Sequence, residues 1–241
     1  MRVGILIIGS LFWDERRELW RRSRLLVGDA KHVRAPMRYG RRAQGRGNTF
    51  TMTFGSDGPW GQAVQVPCKA NVEDVGGLIE EAEALWQAER LSAQRSRRIG
   101  ADWGCVGVLF REDPPAGWLE DWTRNFRANA PSFVRPVDAD GMLRILWPER
   151  VDGGQPDVDI VLATATRPEA TWPTPDVIAD AWVDQSGGHE HYFFENVRHG
   201  IRTAEDGLIW RTIEHRAQHW LQSARYGQAV GILSGEKAGG A

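Results

Sequence analysis

Residues 3–8, Val-Gly-Ile-Leu-Ile-Ile, form an unbroken apolar run that stops at Gly9-Ser10. A strand with one wet face alternates in polarity; a short continuous run bounded by a turn signal reads instead as a strand covered on both faces. At its end Gly9 permits a sharp turn, because glycine tolerates backbone angles that other residues avoid. A chain that starts this way is expected to build a sheet around its first strand, with a tight loop at the strand's end. The run is far too short to cross a bilayer and no small-residue cleavage site follows it, so neither an anchor nor a signal peptide is expected.

The remaining signals alternate between strand and helix. Thr49–Phe54 and Gln62–Pro67 read as strands, and Gly55-Ser56-Asp57-Gly58-Pro59 between them predicts a hairpin. Asn71 is placed to cap a helix whose apolar residues Val75, Leu78, Ile79, Ala82, Leu85 and Trp86 recur at helical spacing. Val106–Phe110, Leu143–Trp147 and Val158–Thr164 read as further strands. Helices are expected at Trp118–Asn129, Asp176–Trp182, His191–Ile201 and Glu214–Ala224, with an exposed one following Asp14. Strands gather early and helices late, which favours an α+β fold with a mixed, partly closed sheet or barrel and flanking helices. One domain over residues 1–234 is expected, followed by a flexible Gly/Ala-rich tail over 235–241.

Composition narrows the function classes. A net charge of −2 over 241 residues gives no general reason to expect a nucleic acid or an anionic membrane as partner. Cys68 and Cys105 form no CxxC pair and have no histidine beside them in sequence. That suits a reducing, cytoplasmic setting and offers no obvious thiol nucleophile. Between Glu15 and Arg46 there are eleven basic residues against three acidic ones, either a solvated face or a field that steers an acidic ligand. The twelve tryptophans are expected mainly in the core, with some free to line a cleft.

The loop Gly9-Ser10-Leu11-Phe12-Trp13 after the N-terminal strand resembles the gamma-glutamylcyclotransferase-like superfamily, closest to its ChaC-type branch. Further pieces follow in that family's order. Arg46-Gly47-Asn48-Thr49 is similar to its Arg-Gly-Thr segment, and Gly61-Gln62-Ala63-Val64 to the next strand. Val177-Ile178-Ala179 and Gly187-Gly188-His189-Glu190-His191-Tyr192 resemble its late helical region. Ile8 stands where the family has a tyrosine, and the stretch from about Trp103 to Pro156 matches none of its pieces. The resemblance implies an intramolecular cyclotransferase (lyase or acyltransferase) that releases 5-oxoproline from a γ-glutamyl amine or peptide, as in glutathione metabolism. It implies no metal and no cofactor, and a small anionic amino-acid or peptide substrate held by Ile8, Gly9, Ser10, Leu11 and Arg46.

Such chemistry needs one carboxylate to move a proton and preorganised donors facing the carbonyl oxygen. Two glutamates compete for the first role. Ile79-Glu80-Glu81-Ala82-Glu83 and Leu85-Trp86-Gln87-Ala88-Glu89 each fit part of the family's acidic helix motif. At roughly 100° per residue, Glu89 falls near the middle of the apolar stripe and Glu83 at its edge. Each stays open, as does a helix that ends before Glu89 or an arginine, Arg90 or Arg95, paired with it. Ser10 lacks a Gly-x-Ser-x-Gly elbow and reads as a structural or ligand-contacting hydroxyl. Arg46 is either a carboxylate fork or a surface arginine.

Two rival readings remain. His191, Glu195 and His199 recur at four-residue spacing, as do His215 and His219, the pattern of a helix-borne metal site in a hydrolase. A non-catalytic ligand-binding or interaction domain on the same fold is the other.

Overall fold

The computed structural model describes residues 1–43, 49–55, 59–91, 97–130, 136–183 and 189–238. The apolar opening run forms β1 (Val3–Ile7), buried at every position. β1 pairs antiparallel with β4 (Trp60–Pro67), Ile5 facing Val66, and parallel with β8 (Ile160–Thr166), Ile5 facing Leu162. With backbone partners on both edges and no polar side chain, it is the central strand its composition demands.

The longest strand, β2 (Lys31–Ala43), lies in the arginine-rich stretch. Val33, Ala35, Met37 and Tyr39 are fully buried, whereas Arg34 is exposed and Arg38 half-buried. The period of two is present, but the charges of the outer face obscure it. The strand shifts register between Tyr39 and Arg41, at Gly40. There a Cβ would come within 2.0 Å of the Trp172 ring, so only glycine fits.

β2 also overturns the expected hairpin. Its first half pairs with β4 and its second half with β3 (Thr49–Phe54), both antiparallel, so β2 separates the two strands. β3 and β4 therefore run in the same direction and cannot form a hairpin. β6 (Gly104–Phe110) pairs along the whole of β8, and β5 (Gly100–Ala101) adds an edge. β7 (Glu149–Arg150) pairs with β2 at Val33 and Arg34. The result is a mixed eight-stranded sheet in the order β3-β2-β4-β1-β8-β6-β5 with β7 off that path. It curls far enough for the Thr53 hydroxyl to donate to the Thr166 carbonyl at 2.8 Å. Among the described residues no strand pairing joins β3 to β8 or β5, so the sheet is open and not the partly closed barrel expected.

Of the helices, α1 (Glu18–Arg24) follows a short 3-10 turn, and α2 (Val75–Arg90) packs on β6 and β8. Its N-cap is Asp74, whose carboxylate accepts from the Gly77 amide at 2.9 Å, and not Asn71. The helix continues past Glu89 to a left-handed cap at Leu91. α3 (Trp118–Asn129) backs onto α2 with the expected boundaries. Leu143–Trp147 forms no strand; Leu143 makes only an isolated bridge with Val137. α4 (Pro175–Val183) packs on β3 and on α6 (Asp206–Arg216), and α5 (His189–Arg198) on α7 (Gly227–Ala238). The single helix expected over 214–224 is thus replaced by the end of α6 and two 3-10 turns, and the segment expected to fray is helical as far as Ala238. Trp86, Trp122, Trp182 and Trp210 are fully buried, as the core reading of the tryptophans requires. No described helix is long and apolar enough to cross a membrane.

Candidate functional site

The loop after β1 is held from several sides. The Phe12 amide donates to the Gly9 carbonyl at 3.1 Å and the Asp14 amide to the Ser10 carbonyl at 2.8 Å, folding residues 9–14 back on themselves. Buried Arg21, from α1, donates to the carbonyls of Leu11 and Asp14 at 2.8 and 2.9 Å. The Trp13 indole N–H donates to Asn196 Oδ1 of α5 at 2.7 Å. Asp14 caps the following turn and pairs with both Arg16 and buried Arg17. Burial alone would raise the Asp14 pKa, but the hydrogen bonds from Arg16 and the charge of Arg17 outweigh it and hold the carboxyl below its ordinary value.

This loop forms one wall of a cavity of about 370 Å³. Ile8, Gly9, Ser10 and Leu11 line it, and so does Glu89 from the last turn of α2. Arg41 and Thr51 come from β2 and β3, Thr164 and Thr166 from β8, and Tyr192 from α5. The sheet's curl brings these strand ends over β1's end. Tyr192 meets the loop closely: a Cβ on Gly9 would lie 3.0 Å from its hydroxyl, which accepts a hydrogen bond from the Met52 amide at 3.4 Å. The turn itself does not require glycine, since Gly9 is not among the positive-φ residues; what a side chain there would crowd is the Tyr192 hydroxyl.

Trp103, on the opposite side, is stacked on buried Trp86 with ring centres 4.7 Å apart, and the Arg41 guanidinium lies 4.5 Å from the Trp103 ring centre. This layered arrangement fixes a cation at the cavity wall. Among the described residues the lining carries the guanidiniums of Arg16, Arg17 and Arg41 against one carboxylate, Glu89. Asp14 neutralises part of that charge from behind. The cavity suits an anionic polar ligand. On its floor the hydroxyls of Thr164 and Thr166 are buried without a hydrogen-bond partner among the described residues.

The two candidate glutamates separate. Six residues apart on α2, they point about 120° away from each other. Glu83 is not among the cavity's described lining; burial raises its pKa against the opposing charge of Arg97. Arg46 lies outside the described residues, as do Gly187 and Gly188. Both cysteines are buried. Burial beside Glu81 pushes the Cys68 thiol up, away from a nucleophilic thiolate.

The histidine pattern does not converge on a metal. His191 and His199 approach Glu195 only at 3.9 and 3.7 Å, while the Arg198 guanidinium reaches it at 3.0 Å. His191 packs edge-on against Trp13 and His199 against Phe12. His215 lies in the last turn of α6 while His219 lies in a separate 3-10 turn, so the second pair shares no continuous helix. Among the described residues no group of three or more His, Cys, Asp or Glu is arranged to hold an ion.

Sequence reasoning overlooked Arg41, Trp103, Thr164, Thr166 and Tyr192. A signal existed for the threonines: Ala-Thr-Ala-Thr at the end of β8 puts both hydroxyls on one face. Nothing local marked Trp103, whose place follows from its stack on Trp86. Comparison of the chain with family models, with curated proteins and with solved structures returned no match in any of the three.

Proposed function

We propose that this protein is an intramolecular cyclotransferase acting on a γ-glutamyl amine or peptide, with Glu89 as the proton carrier. What carries the reading is that Glu89 and the Gly9–Leu11 loop line the same cavity although about eighty residues separate them in the chain. In this reaction the substrate's α-ammonium gives a proton to Glu89, and the freed amine attacks the γ-carbonyl carbon. The carbonyl oxygen takes up the charge of the tetrahedral intermediate. Glu89 returns its proton to the leaving nitrogen as that C–N bond breaks, then takes the second proton from the ring nitrogen and passes it to the departing amine, so neutral lactam 5-oxoproline and an ammonium are formed. No electrons enter or leave. Nucleophile and electrophile belong to one molecule, so holding it folded supplies much of the rate.

The remaining lining supports the roles this reaction requires. The loop at the end of β1 supplies main-chain groups beside the cavity for the developing oxyanion. Arg41, fixed on Trp103, is suited to a substrate carboxylate. The Thr164 and Thr166 hydroxyls offer further hydrogen bonds to a polar ligand. Where the resembling family has a loop tyrosine, this chain has Ile8, yet the Tyr192 hydroxyl stands beside Gly9.

The test is to incubate the protein with glutathione and a panel of γ-glutamyl amines and to quantify 5-oxoproline. Turnover is expected to fall by about 10²–10⁴-fold in Glu89→Gln, the range for losing a positioned acid–base group. Glu83→Gln should stay close to wild type. Saturable binding of these compounds without turnover would point to the non-catalytic ligand-binding reading instead.

A further inference from the structure

A larger groove, of about 490 Å³, lies away from this cavity and shares none of its lining residues. Its walls come from β2 at Arg34, the start of β4 at Trp60, and the segment from Arg202 into the first turn of α6, with Arg211 one turn further on. We propose that this groove binds a phosphate monoester bearing a flat aromatic ring, a mononucleotide, in a site separate from the cyclotransferase cavity.

The groove is a built feature. Gln62 and Arg202 exchange both main-chain hydrogen bonds, at 2.7 and 2.8 Å, which straps the segment before α6 onto β4. Gly61 permits the contact, since a Cβ there would come within 2.5 Å of the Arg202 carbonyl. The Thr203 hydroxyl donates to Asp206 at 2.5 Å, and Arg202 lies 3.8 Å from the same fully buried carboxylate.

Its charge is one-sided. Among the described residues three arginines line it and no acidic residue does. Of the nearby acids, Glu205 binds Arg38 at 2.5 Å and Asp206 sits beneath Arg202, while exposed Glu149 lies opposite Arg34 on β7 without lining the groove. Arg34 and Arg211 are exposed and form no ion pair among the described residues. Two such guanidiniums match a phosphate monoester, which carries about −1.5 to −2 charges near neutrality. Each can present a two-pronged fork to its oxygens.

The aromatic half of the ligand is set by Trp60. It is 44% exposed, whereas most of the other tryptophans are buried or half-buried, and Leu208 beside the groove is 49% exposed. A flat ring laid on Trp60 covers apolar surface that otherwise faces water, while its phosphate reaches the arginines. The volume lies within the range of pockets that enclose one small ligand. With a protein net charge of −2, there is no wider basic field to attract a polymer.

Calorimetric titration of the whole protein with AMP, adenosine and inorganic phosphate tests this. AMP is expected to bind one-to-one and more tightly than either fragment. Arg34→Ala and Arg211→Ala should each weaken AMP about tenfold. Trp60→Ala should weaken AMP about fivefold and leave phosphate unchanged. Glu89→Gln should bind AMP like wild type, and Arg34→Ala should keep any 5-oxoproline formation, so the two sites stand or fall separately. No saturable binding at millimolar AMP would overturn the proposal. So would phosphate binding as tightly as AMP, or AMP affinity indifferent to Trp60. All three side chains are exposed, and an unchanged unfolding midpoint in each variant separates lost binding from lost fold.

Discussion

Replacing Asp14 by asparagine tests whether the loop beside the cavity is held by charge. Asn keeps the size and capping capacity of Asp, so the bond from the Arg16 amide survives. What disappears is the carboxylate charge paired with Arg17, whose side chain is only 7% exposed. Arg16 is 65% exposed and its share of the loss is small, at most about 1 kcal/mol. Breaking a buried ion pair by neutralising one member costs more, about 3–5 kcal/mol. For a chain of this size that corresponds to a fall in Tm of roughly 6–20 °C. The measurement is urea unfolding of both proteins at neutral pH, with the slope checked for constancy. A double variant, Asp14→Asn with Arg17→Met, should recover most of the loss, because both members of the buried pair are then neutral.

The pH dependence has a definite sign. The folded-state pKa of Asp14 lies below its unfolded value, so its stabilisation is complete above the ordinary carboxylate range. It is lost as pH falls through the depressed folded value. The gap between wild type and Asp14→Asn should thus be widest at neutral pH and close in strong acid. A single variant within about 1 kcal/mol of wild type at pH 7 would refute the argument, since Arg17 would then have found another way to be satisfied.

Gly141→Ala should destabilise the protein by more than about 1 kcal/mol, measurable by thermal unfolding, because φ is +82° there and a Cβ would come within 2.6 Å of Phe126 and Trp122. Thr164→Val and Thr166→Val remove buried hydroxyls that have no partner among the described residues. Each should leave the unfolding midpoint unchanged or raise stability by about 1 kcal/mol while weakening any ligand of the cavity, whereas a clear loss of stability would show those hydroxyls to be bonded within the fold.

The elements that were legible in the sequence are those whose signal lies within a few residues. β1 is apolar throughout, β3 alternates with β-formers, and α3 repeats at helical spacing between Gly117 and Ala130. β2 escaped because Arg34, Arg38, Arg41 and Arg42 outweigh in composition the buried residues that set its period. The hairpin failed for a different reason. A turn signal at 55–59 reports that the chain bends, but not which strand occupies the space beside it.

The candidate site divides along the same line. The Gly9 loop and the glutamate-bearing helix were both readable, and angular spacing distinguished Glu89 from Glu83 as surfaces of one helix. Which of these surfaces meets a cavity depends on how α2 packs across β6 and β8, and no local pattern encodes that. Arg41, Trp103, the β8 threonines and Tyr192 arrive there only because the curled sheet brings its strand ends together over the end of β1. Sequence by itself determined the buried first strand, the turn after it and the faces of the helices, since backbone preference and hydrophobic period act between near neighbours. Strand order, the open curl and the company of Glu89 were decided only by tertiary packing, because they depend on contacts between residues far apart in the chain.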